Sequence, residues 1–194
     1  MSEDRIAVHF QSSLDGLTKA AGSDDVRATT RAIAQALTNA LRNGKKLLLI
    51  GNGGSAADAQ HIAAEIVGRY KRERPGWAAI ALTTDTSALT AIANDYGVEQ
   101  MFARQVQGLG QPGDVLFALT TSGRSKNILA AIDVARQLGV TVVGFTGTKG
   151  DSMKSVCDHT LVAPSEDTPV IQQIHMMVAH AICDQVENAL LDGS

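Results

Sequence analysis

Two rhythms of hydrophobic spacing divide this chain. Ile6, Phe10, Leu14 and Leu17 recur at three- and four-residue steps, which predicts an amphipathic helix over residues 3–21. Ile33, Ala36, Leu37 and Leu41 form a second stripe, predicting a helix opened by Asp24-Asp25 and closed just before Gly44. The rhythm then changes. Leu47–Ile50 is a short apolar run bounded by the turn Gly51-Asn52-Gly53-Gly54-Ser55, and it reads as a buried strand. Ala56–Val67 is rich in helix formers, with Ser55 as the expected N-cap. Strand-like runs return at Trp77–Leu82, Asp114–Leu119, Val140–Phe145 and His159–Val162. Between them helical spacing is expected at Ser87–Asn94, Val98–Leu109 and Lys126–Leu138, with Asn94-Asp95-Tyr96-Gly97 breaking the first from the second. Gly147–Gly150 reads as another glycine turn. Glu166-Asp167-Thr168-Pro169 starts a last helix reaching about Leu191, with Pro169 in its tolerated first turn.

Strands alternating with helices at this spacing pair in parallel through right-handed crossovers, and continuously apolar strands are covered on both faces. The expectation is an α/β fold: a five-stranded doubly wound sheet in the order 2-1-3-4-5, preceded by two extra helices. Residues 1–194 form one domain, with 1–43 the N-terminal helices and 44–194 the α/β core. In this order the ends of the first and third strands flank the switch point, where ligands of open sheets bind. Composition narrows the partners. A hydrophobic share of 44% and a net charge of −3 fit a globular chain with no basic footprint for nucleic acid or anionic membrane. Cys157 and Cys183, without a CxxC pair, argue against a disulfide framework or zinc finger. The start Met1-Ser2-Glu3-Asp4-Arg5 is polar and no apolar run approaches a membrane span, so a cytoplasmic setting is expected.

Candidate chemistry gathers in the loops after those two strands. The glycine turn opens a helix, and free N–H groups with a positive helix end favour an anion there. The turn is neither GxGxxG nor GxxxxGK[ST], which argues against dinucleotide and Walker-type sites. Thr120, Thr121, Ser122 and Ser125 supply four hydroxyls around Gly123, enough to hold a phosphate monoester without lysine, although a Ser/Thr helix cap would use one of them. His61 and Glu65 are four apart on one helix face, able to converge on a ligand or metal or to stand as an exposed pair. Their order, H-x-x-x-E, is not that of the zinc proteases. Gln172, Met176 and His180 share a stripe of the last helix, whereas His175 reads from its setting as a core histidine.

GNGGSAADAQHIAAE at 51–65, NDYG at 94–97, TTSGRS at 120–125 and DTPVIQQIH with His180 together resemble the phosphoheptose isomerases of the sugar isomerase (SIS) fold, over nearly the whole chain. The resemblance implies conversion of sedoheptulose 7-phosphate to D-glycero-D-manno-heptose 7-phosphate, an early step toward bacterial surface heptose, by a homotetramer with active sites near subunit interfaces. It implies Glu65 as general base and His180 as second acid/base group. It implies zinc, one per subunit, on His61, Glu65, Gln172 and His180. Substrate contacts would come from Asn52, Gly53, Gly54, Ser55, Glu65, Asn94, Asp95, Thr120, Thr121, Ser122, Ser125 and Gln172. Thr120 stands where relatives commonly carry Ser and keeps the hydroxyl. Two alternatives remain open: a non-enzymatic SIS tetramer that binds a replication initiator, and another SIS sugar-phosphate isomerase or sensor. The first lacks equivalents of Glu65 and His180; a sensor would need a flanking DNA-binding module, for which there is no signal.

Overall fold

The computed structural model describes residues 4–193. Five parallel strands, β1 (Leu47–Gly51), β2 (Ala79–Ala81), β3 (Val115–Leu119), β4 (Thr141–Gly147) and β5 (His159–Ala163), form one sheet in the order β2-β1-β3-β4-β5. The central pair is in register from Leu47↔Val115 to Gly51↔Leu119. Side chains of successive strand residues point to opposite faces, and the core divides accordingly. Leu47, Leu49, Phe117 and Phe145 face one layer, packed with α2 (Asp24–Arg42), α3 (Gly54–Val67) and α7 (Thr168–Asp192). Leu48, Ile50, Leu116 and Ala118 face the other, with α5 (Ala103–Leu109) and α6 (Lys126–Gln137). That is the expected doubly wound sheet.

The two leading helices part company. α2 buries Ile33 and Leu37 of its predicted stripe in the first layer, with Ala36 and Leu41 half-buried and Val26 and Ala34 buried beside them. α1 (Arg5–Gly22) buries only Gly16 and Ala20, and its stripe residues Ile6, Phe10 and Leu14 are 68%, 64% and 60% exposed. Residue 3, where that helix was expected to begin, lies outside the described residues.

Several boundaries differ from the sequence reading. Ser55 does not cap α3; the helix begins at Gly54 behind Gly53, whose φ of 56° few other residues adopt, and Ser55 is buried in the first turn. The break expected at Asn94-Asp95-Tyr96-Gly97 falls on its last residue: α4 (Thr86–Tyr96) runs two residues past Asn94 and ends at Gly97, φ 88°. Val98–Leu109 is a 3₁₀ turn over Val98–Gln100 followed by α5. β2 is shorter than Trp77–Leu82, as expected of an edge strand paired only to β1. Beyond β4 the chain winds in 3₁₀ turns over Thr148–Ser155.

His175 is a core residue, fully buried, with Nε2 3.2 Å from the Thr146 carbonyl and its ring edge-on to Phe145. Burial pushes its pKa down to about 4 from 6.5, against the Thr146 hydrogen bond. The unfolded chain therefore binds a proton that the folded chain refuses between those values, and stability falls as pH drops below about 6.5. The full effect is ~3 kcal/mol by pH 4. Comparing urea unfolding of wild type and His175→Phe from pH 7 to 4 should show a stability loss that only the wild type carries; parallel curves would remove the assignment.

Candidate active site

At the C-terminal edge of β1 and β3, three helices begin around one cavity. Its volume is about 230 Å³, and it is lined by Asn52, Gly54, Ser55, Leu119, Thr120, Thr121, Ser122, Ser125, Thr168 and Gln172. α3 opens at Gly54, α6 behind its N-cap Ser125 and α7 at Thr168, so three positive helix ends converge there. No lysine or arginine lines it. The hydroxyls are gathered: Thr120 Oγ1 lies 3.1 Å from Ser125 Oγ and 3.5 Å from Ser122 Oγ, which accepts from the Arg124 N–H at 3.2 Å. Asn52 and Asn127 exchange two amide hydrogen bonds, 3.0 and 2.9 Å, tying the glycine turn to the start of α6. A methyl group at Gly54 would meet the Gln172 side-chain amide, so glycine here lets Gln172 lie against the start of α3 without moving. Neutral dipoles and hydroxyls of this kind bind a phosphate oxygen cluster.

A second group sits farther along the same two helices. His61 Nε2 is 3.1 Å from Glu65 Oε1 and 3.2 Å from His180 Nε2, while His180 Nε2 and Glu65 Oε1 are 4.0 Å apart. The pair on α3 thus meets its partner from α7. Ligand atoms on a tetrahedral ion bonded at ~2.0–2.1 Å stand about 3.3 Å apart, so this His/Glu/His group has the donor set and spacing to hold a divalent metal. Half-exposed His180 stacks on Tyr70, ring centroids 5.7 Å and planes 26° apart.

Of the expected site residues, Asn52, Gly54, Ser55, Thr120, Thr121, Ser122, Ser125 and Gln172 share the cavity, and Gly53 shapes its turn. Glu65, His61 and His180 form the second group. Gln172 stands with the cavity, ~12 Å in axial rise from His180. Asn94 and Asp95 lie apart, exposed near the end of α4 and hydrogen-bonded to each other at 2.8 Å. Sequence reasoning passed over Asn127, Thr168 and Tyr70; Thr168 at least stood beside Pro169 at a helix start. It also passed over Asp58, one turn before His61, whose carboxyl is pushed up to about 6 by burial, against the pull of His61.

A doubly wound sheet with helix starts and hydroxyls at its switch point defines an anion-binding α/β domain, and the SIS domain model matches residues 11–147. A phosphoheptose isomerase of Bradyrhizobium sp. (strain BTAi1) is 60% identical over 98% of this chain and 96% of its own. Among solved structures, the phosphoheptose isomerase of Neisseria gonorrhoeae superposes with a TM-score of 0.89 at 40% identity, covering 96% of this chain and 98% of that one. The Francisella tularensis phosphoheptose isomerase gives 0.92 at 36% identity, over 97% and 100%. The chain belongs to the SIS domain family and, within it, to the phosphoheptose isomerases.

Proposed function

We propose that the protein isomerises sedoheptulose 7-phosphate to D-glycero-D-manno-heptose 7-phosphate, with Glu65 as the carbon base. The observation that carries this is the distance between the two groups. α3 and α7 both start at the hydroxyl cavity and run side by side to the His/Glu/His group, ~15 Å of rise from Ser55 to Glu65. Side chains lean toward a helix N-terminus, which brings the Glu65 and His180 tips back toward the cavity. A seven-carbon sugar phosphate spans that interval with its reacting carbons at the far end; a three-carbon one does not.

In the reaction the cavity holds the phosphate. Glu65 takes the proton from C1 of the ketose, giving the enediol, and returns it to C2 to give the aldose. His180 moves protons among the sugar oxygens, a role imidazole suits near neutral pH. His61, Glu65 and His180 would hold zinc, and Gln172, which lines the hydroxyl cavity, is the further ligand the family resemblance implies. When bound, the ion supplies a Lewis acid for the enediolate oxygens.

Exposed Ile6, Phe10 and Leu14, together with an apolar groove of about 320 Å³ between α1, α2 and α7 lined by Ala20, Val26 and Val178, support the expected homotetramer. In such an assembly Asn94 and Asp95 would reach substrate in a neighbouring subunit's site; sedimentation at micromolar concentration reads the assembly directly. No helix among the described residues is long and apolar enough to cross a membrane.

An NMR time course tests the function and the metal together. Protein purified without chelator should carry about one zinc per chain and convert sedoheptulose 7-phosphate to the aldose. Stripping the metal should slow turnover at least tenfold. No conversion overturns the function; full activity after stripping leaves Glu65 working unaided.

A further inference from the structure

Beyond the His/Glu/His group, α3 and α7 are joined a third time, by a buried ion pair that touches no substrate. Arg74 and Glu187 side chains are each 1% exposed, with Nε 3.1 Å from Oε2. Glu187, on α7 about two turns after His180, also accepts from the backbone N–H groups of Tyr70, Lys71 and Arg72 at 2.9, 2.9 and 2.7 Å. Burial alone would raise its carboxyl; those three N–H groups and Arg74 outweigh that and hold it below the usual range. Arg74 donates in turn to the carbonyls of Glu65, Ile66 and Gly68, at 2.8, 3.0 and 3.2 Å, and lies 3.7 Å over the Trp77 ring. The orphan carbonyls at the end of α3, that of Glu65 included, are therefore closed by a side chain anchored on α7. The strap between them carries Tyr70, the residue stacked on His180.

A buried ion pair is often no more stabilising than apolar residues of the same size, so stability alone does not account for it. Its geometry does. We propose that the Arg74–Glu187 pair is a positioning device that fixes the register of α3 against α7, and with Tyr70 sets Glu65 and His61 against His180. The inference rests on the reading of that group as the proton-transfer and metal site.

The test measures Zn²⁺ affinity by chelator competition, kcat and KM in Glu187→Gln, Arg74→Lys and Tyr70→Leu, per folded molecule by circular dichroism. Outer partners that orient metal ligands typically matter 10–100-fold. Affinity and kcat should both fall by that much in the first two variants, and about three- to tenfold in Tyr70→Leu, with KM within threefold because the cavity is untouched. Asp184→Asn, which breaks the exposed Lys71–Asp184 pair on the same strap, should stay within twofold. Arg74→Lys keeps a cation on Glu187, and Tyr70→Leu leaves the buried pair intact; these two carry the test should Glu187→Gln fail to fold. Wild-type affinity and kcat in the folded variants overturn the register role. His61→Ala and Glu65→Gln run alongside. If they also leave affinity and kcat unchanged, the site reading itself falls; if they abolish both while the strap variants do not, only the positioning role falls.

Discussion

Replacing Glu65 by Gln is expected to lower kcat by ~10²–10⁴ with KM changed only a few-fold. The amide keeps the shape, the buried stem and an oxygen facing His61, so binding and fold persist. What it loses is the lone pair basic enough to take a carbon-bound proton. The structure singles this residue out, since it stands at the meeting of His61 and His180 and its side chain is only 22% exposed. In heavy water the wild type should place solvent deuterium at C2 of the aldose, unless proton return outruns exchange. If Glu65→Gln turns over within tenfold of wild type, another group is the base.

The double variant Ser122→Ala, Ser125→Ala should raise KM roughly 10²-fold and leave kcat nearly unchanged. Hydrogen bonds to a charged group are worth about 1.5–3 kcal/mol each, and the remaining helix N–H groups cushion part of the loss. The split between constants follows from position. In the proposed binding mode the hydroxyls would grip the phosphate equally in ground and transition states, far from the reacting carbons. Initial-rate kinetics over a wide range of sedoheptulose 7-phosphate concentrations decide it: an unmoved KM places the phosphate elsewhere.

Much of the architecture was legible because β1 and β3 are apolar and buried on both faces. Leu47–Ile50 and Val115–Leu119 could only be central strands, and the order followed from their crossovers. The glycine turn and the hydroxyl loop were legible for the same local reason, since both open helices directly after those strands. Boundaries were not. Asn94-Asp95-Tyr96 looks like a stop, yet α4 runs on through it and ends only at Gly97, whose φ is 88°. Nor could spacing bring His61 and Glu65 to His180, because it relates residues within a helix and this meeting lies between two. Arg74 and Glu187 were invisible for the opposite reason: in sequence they read as surface charges, and only the fold buries them.

The place of α7 in the chain has a consequence for how the protein is made. This helix of 25 residues packs on β4 and β5, with His175 against Phe145, and it emerges after β1–β5 have been synthesised. A nascent chain at Pro164 holds the whole sheet and the hydroxyl loop, but one apolar layer lacks the last of its three helices, and intermediates with exposed apolar surface are prone to aggregate. It holds Glu65 but not His180. The His/Glu/His group and the cover of that layer are therefore completed together, when α7 is made, and a ribosome stalled short of α7 is expected to yield a chain lacking both.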